Sequence, residues 1–162
     1  MGLKKKGLFM LDTDFKIIEI LQKAKNEGNP ILKYFHISYP KEELAMESNC
    51  IFVACVSSEN NLNGFEFETF KDLVEIVVTT KKQENTKAIR VIKTISEEIC
   101  RVIMENHNCF PNKPVIRNIN PYFNPDYVLT RGQIMIQVNT EPTDFIIEER
   151  DIKFVCKNLQ GE

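Results

Sequence analysis

Between Asp72 and Ile103 a strand pattern runs almost directly into a helix pattern, and this pair leaves few architectures open. Val74, Ile76 and Val78 alternate with Leu73, Glu75 and Val77, the period of two that sends successive side chains to opposite faces of a sheet. A short charged turn, "TKKQEN", then delivers Asn85 or Thr86 as a helix N-cap. Ala88, Val91, Ile92, Ile95, Ile99, Val102 and Ile103 follow at steps of three and four, with Lys87, Arg90, Lys93, Glu97 and Arg101 on the opposite side. Apart from Ala88 the apolar residues are β-branched, which lowers intrinsic helicity, so packing against a sheet has to hold this helix in place. A Glu97–Arg101 pair at i, i+4 adds about 0.2–0.5 kcal/mol.

The flanking segments extend the pattern. "DTDFKIIEILQKAKNEG" opens on the N-cap candidates Asp12, Thr13 and Asp14 and places Ile17, Ile18, Leu21 and Ala24 on one stripe. Gly28 closes it and Pro30 forbids continuation, giving a helix over Thr13–Glu27. "ILKYFHISYP" alternates and predicts a first strand over Ile31–Ile37; "CIFVACV", Cys50–Val56, is apolar on both faces, as a covered strand is. "SSENNLNG" reads as a loop, and "GFEFETF" leads into the strand at Leu73–Thr79. The four prolines between Cys109 and Gly132 block a helix and predict an extended segment broken by a loop. Gly132 marks a bulge or turn before the alternating "QIMIQV", and "DFIIEERDIKFVC" suggests a last pair of short strands around Glu148–Asp151. The expected fold is α+β, a mainly antiparallel sheet with two helices packed on one face. One domain is expected over 12–157, between a flexible basic N-terminus at 1–11 and a flexible C-terminus at 158–162.

Composition narrows the function classes. A chain of 162 residues buries enough surface to fold without staples. Its net charge of −2 provides no field for gripping phosphates, and Lys4-Lys5-Lys6 is a terminal cluster. Five cysteines, an odd number without repeated spacing, suggest a reducing, intracellular setting and small buried side chains. No run reaches the roughly 18 apolar residues of a membrane span. No glycine-rich phosphate loop or triad-like motif is present, so no catalytic residue, metal ligand set or cofactor is expected; the two histidines, His36 and His107, read as structural. The adjacent acids Glu97-Glu98 and Glu148-Glu149 diverge on any regular element. Two aromatic groups stand out instead: Phe65, Phe67 and Phe70 before the central strand, and Tyr122, Phe123 and Tyr127 in the proline-rich loop. Exposed, such loops point to a protein–protein contact; tucked back, they cap the sheet.

In its order of leading helix, apolar strand, loop, long strand "FEFETFKDLVEIVVTTKK", helix "NTKAIRVIKTISEEICRVI" and closing strands, the chain from Asp12 to Cys156 resembles the tail terminator proteins of long-tailed bacteriophages. The lysine-rich start and the "NPYFNPDY" loop depart from that pattern. The resemblance implies a structural virion protein, assembled in the host cytoplasm, that forms a ring, typically a hexamer. The ring closes the tail tube and meets a head connector or head-completion protein. Its partners would be further copies of itself, the tail tube protein and the connector, with DNA only as passing cargo and no membrane. On this reading Phe65, Phe67 and Phe70 support one subunit contact, while Tyr122, Phe123, Tyr127 and Arg131 dock a neighbour or the tube. Another neck or head-completion component fits the same pattern. The alternative from a different class is a small cytosolic enzyme or ligand-binding domain with a pocket near His36, Cys50 and Cys55.

Overall fold

The computed structural model describes residues 13–40, 49–61, 69–81, 85–122, 129–140 and 149–160. In chain order these form helix α1 (Thr13–Asn26), strands β1 (His36–Ser38), β2 (Cys50–Asn61) and β3 (Thr69–Lys81), helix α2 (Asn85–Glu105), strands β4 (Val115–Tyr122) and β5 (Leu129–Thr140), and helix α3 (Glu149–Leu159). The fold is α+β, as expected, with a mixed and mostly antiparallel five-stranded sheet in the order β1-β2-β3-β5-β4.

Helix α1 ends as its sequence requires. Gly28 takes a positive φ of 90°, its N–H donates to the Lys25 carbonyl at 3.1 Å, and the Asn29 N–H donates to that of Ala24 at 3.0 Å. This double closure satisfies carbonyls that the helix end leaves open. The side-chain oxygen of Asn29 then accepts the N–H groups of Ile31 and Leu32, both at 3.0 Å.

That turn chemistry overrides the strand expected over Ile31–Ile37. Leu32–Tyr34 winds into a 3-10 turn, and only His36–Ser38 is extended, pairing parallel to β2. The alternation was real but short: Leu32 and Phe35, three apart, are both buried, as a tight helical turn places them.

The core lies on one face of the sheet. Ile51 and Val53 of β2, Val74, Ile76 and Val78 of β3, and Ile134, Ile136 and Val138 of β5 have no exposed surface. They are aligned by the registers Val53↔Ile76, Ile76↔Ile134 and Val74↔Ile136. Ile17, Ile18 and Leu21 of α1, with Ile92, Ile99 and Ile103 of α2, cover this face. Both helices therefore sit on the same side. β3 is central, flanked by β2 and β5, which suits its unbroken apolar alternation.

Four local expectations change. Ser57–Asn61 continues β2 instead of starting the loop, after a bulge at Val56 that lets the strand bend and keep pairing. Gly132 is neither a bulge nor a turn: it lies inside β5, paired with Val78, where a Cβ would come within 2.3 Å of Ile92 Cγ2. The glycine is there because α2 presses on the strand at that point. Arg101 pairs with Glu98 and Glu105 instead of Glu97, which lies 3.9 Å from Lys93. Finally, Glu149–Leu159 is helical, so the short strands expected around Glu148–Asp151 are not formed at 149–151, and the segment expected to be a flexible end from 158 is helix as far as Leu159. Ile152, Val155, Cys156 and Leu159 repeat at three and four, and the Glu149–Lys153 pair at 3.4 Å is an i, i+4 contact. The helical period was present in the sequence, hidden behind the apolar "FII" that precedes it.

Candidate functional site

The described members of the two expected contact groups, Phe70 on the one hand and Tyr122 with Arg131 on the other, fall at opposite ends of the sheet. Phe70 is the second residue of β3, opposite Asn60 and Thr140. Tyr122 ends β4 and is the cross-strand partner of Arg131, which in turn lies opposite Thr79. Nine residues of β3 separate these registers, about 30 Å at roughly 3.3 Å per residue. Phe65, Phe67, Phe123 and Tyr127 lie outside the described residues.

The pocket considered near His36, Cys50 and Cys55 does not draw the three together. His36 and Cys50 are register partners on adjacent strands, but Cys50 is fully buried and His36 exposed. Cys55 lies five residues along β2, on the other face. Partial burial, then the Asp72 and Asp14 carboxylates, push its thiol up to about 11, the direction opposite to an activated nucleophile.

Around Cys55 the first turn of α1 is tied to the sheet. Asp14 accepts the Cys55 N–H at 3.1 Å through Oδ2, and the Phe15 N–H and Tyr39 hydroxyl through Oδ1. Asp72 continues the inward row of β3 and is buried; it accepts the Thr13 hydroxyl at 2.9 Å and the Ser58 hydroxyl. Both carboxylates use both oxygens, so the arrangement fixes the helix start to the sheet. Among the described residues no three His, Cys, Asp or Glu side chains converge on a metal-sized site.

A cleft of about 440 Å³ runs between the C-terminal halves of α1 and α2. Its charges are matched locally, Lys16 with Glu19 at 3.7 Å, Lys23 with Glu27 at 4.0 Å, and Arg101 with Glu98 and Glu105. Such self-paired walls leave little net field for a charged ligand.

Two surfaces are different in kind. The outer face of the sheet carries Ala54, Leu73, Val77, Met135 and Val115 around the hydrogen-bonded pair Gln133–Glu75. Leu73, Val77 and Met135 are half-buried and Val115 is 47% exposed, whereas Cys50, Phe52 and Thr79 on the same face are buried, so the face is covered at its β1 side; α1 and α2 pack on the other side. Helix α3 holds Ile152, Val155, Cys156 and Leu159 on one stripe, with Ile152, Val155 and Leu159 at 51%, 50% and 79% exposure. An amphipathic helix gains most of its stability by burying its stripe, and this one is exposed throughout. Sequence reasoning missed the α3 surface, although the 3-4 spacing of those four residues was the signal for it.

Among the described residues no helix is long and apolar enough to cross a membrane. No protein-family model matches this sequence, and a search of curated proteins finds no similar chain.

Proposed function

We propose that this protein is a structural subunit of a closed ring, of the kind that completes the tail tube of a long-tailed phage and joins it to the head connector. The observation that carries this reading is the stripe of α3, which is apolar and exposed along its whole length. A chain that leaves contiguous apolar surface exposed gains by covering it with another protein. A ring requires two different contact surfaces per subunit, so that each copy binds the next in a rotation that closes. The expected contact positions Phe70 on one side, and Tyr122 and Arg131 on the other, lie at opposite ends of the sheet, which gives a subunit two separated attachment points. Phe65, Phe67, Phe123 and Tyr127 extend these two groups in sequence. The firm α2–sheet core then holds the geometry between neighbours.

The experiment is light scattering of the purified chain across a concentration and magnesium series, alone and with isolated tail tubes, with negative-stain imaging of each fraction. A ring with a central hole, alone or capping a tube, is the expected result. A monomer under every condition, tubes included, overturns the reading. Replacing Tyr122 and Phe123 with serine is expected to reduce assembly with an unchanged circular dichroism spectrum.

A further inference from the structure

Strand β2 runs well past the neighbour that covers its edge. Among the described residues β1 pairs only with Cys50–Phe52, three of the twelve residues of β2, and Pro40, which has no N–H to give to a ladder, follows two residues after β1 ends. Beyond Phe52 the strand reaches solvent: Cys55, Val56 and Ser58 are exposed. We infer that the Asp14 carboxylate is an edge stop, which closes β2 at Cys55 against the backbone of a further strand and so keeps copies of this chain from joining edge to edge there, independently of any ring contact made elsewhere.

The geometry at Cys55 is that of a strand partner replaced by a side chain. The Cys55 N–H turns away from β3 and donates at 3.1 Å to Asp14 Oδ2, which belongs to a residue 41 positions earlier in the chain. An incoming strand would have to bring a carbonyl oxygen to that same N–H. The carboxylate already holds the place with a full negative charge, and a hydrogen bond to an ionised acceptor is roughly twice as strong as a neutral one. Asp14 is itself aimed from two sides: its Oδ1 accepts the Phe15 N–H at 2.8 Å and the Tyr39 hydroxyl at 3.2 Å. The Phe15 and Tyr39 rings meet edge-on at 5.3 Å, which joins the first turn of α1 to the residue after β1. The bulge at Val56 follows directly and bends the strand.

Sequence explains why β2 needs a stop brought from elsewhere. Cys50–Ser58 holds no charged residue, no proline and no glycine, a composition that makes an open strand prone to pair with another. The strand at the opposite edge of the sheet, β4, carries Arg117 at its bulge and Pro121 within the strand, features that blunt an edge from its own residues. Over its exposed stretch β2 has a bulge but neither a charge nor a proline, and α1 supplies the charge.

The test frees the edge and then blocks it again. Asp14→Ala is expected to lower the concentration at which the chain self-associates at least tenfold in light scattering, with an unchanged circular dichroism spectrum. Adding Cys55→Pro, which removes the freed N–H where an edge strand tolerates proline, returns association to that of the unaltered chain, and Cys55→Pro alone leaves it unchanged. Thr13→Ala, which cuts the tie of the same helical turn to Asp72 and spares the Cys55 N–H, also leaves it unchanged. Unaltered association in Asp14→Ala overturns the inference, as does association that survives Cys55→Pro. Equal association in Thr13→Ala overturns it because a loosened helix start is then the cause, and a loss of assembly in Cys55→Pro alone overturns it because the edge is then in use. Hydrogen exchange of the unaltered chain decides the matter however the variants fold: the Cys55 amide, exposed as its residue is, is expected to exchange at least tenfold more slowly than in the unfolded chain. Exchange at the unfolded rate overturns the assignment of Asp14 as the stop.

Discussion

Helices α2 and α3 carry the same kind of pattern and meet different fates. In α2 the apolar residues at steps of three and four lie against the sheet, with Ile92, Ile99 and Ile103 almost wholly buried. In α3 the equivalent stripe of Ile152, Val155, Cys156 and Leu159 faces outward. The difference teaches that periodicity identifies which side of a helix is apolar, whereas only the tertiary arrangement assigns the surface that covers it. It also separates two uses of apolar surface: α2 spends its stripe on stability, and α3 keeps its stripe available.

The largest effect should come from breaking the covered member of the pair. Ile99→Ala is expected to cost about 2–5 kcal/mol, the range for truncating a buried large aliphatic residue, while Ile152→Ala shifts the stability of the isolated chain by no more than about 0.5 kcal/mol. Urea unfolding midpoints at unchanged m-value read both. Equal losses at the two positions would abolish the distinction between the helices.

Close packing under α2 gives the next effect. Gly132→Ala should destabilise by about 1–3 kcal/mol, even though alanine is otherwise favoured over glycine in a strand, because the new Cβ meets Ile92 Cγ2 at 2.3 Å. Ile92→Val in the same chain recovers part of the loss, and a double-mutant cycle measures the coupling. Additive effects would show that Gly132 and Ile92 are not in close contact.

Acids on the two faces of β3 offer a smaller contrast. Asp72→Ala removes the acceptor that the buried Thr13 hydroxyl and the exposed Ser58 hydroxyl share and is expected to cost about 1–3 kcal/mol. Glu75→Ala, on the half-buried outer face, costs less in the isolated chain. Unfolding curves for the pair sharpen the comparison between the inner and outer faces of β3.

The smallest effect is a pH dependence. Burial, with Glu97 adding to it, raises the Cys100 thiol from 9.0 to about 11, and Cys55 is raised to about 11 as well. Between those values the folded chain holds protons that the unfolded chain releases, so stability is full below about pH 9 and falls as pH rises towards 11. A Cys100→Ala, Cys55→Ser variant should show a shallower alkaline loss in unfolding midpoints. An unchanged slope would assign the alkaline loss to other groups.

Much of the fold was legible because strong local periodicity coincided with burial. The stripes of α1 and α2 and the inward rows of β3 and β5 were read from spacing alone, and the structure buries those residues. Less of the candidate site could be read. The register that puts Tyr122 opposite Arg131 and far from Phe70 depends on how distant strands align, and the α3 segment reads as strands from sequence because a short apolar run fits either period.

By itself the sequence determined the elements with long unbroken patterns, the face each turns to the core, and the closure of α1 at Gly28. These follow from side-chain spacing and backbone stereochemistry, which act over a few residues. Tertiary structure alone decided that β5 lies between β3 and β4, that β1 pairs parallel to β2, that Gly132 makes room for Ile92, and that the stripe of α3 remains open. Each of these is a contact between segments far apart in the chain, and local spacing carries no information about which distant surface it will meet.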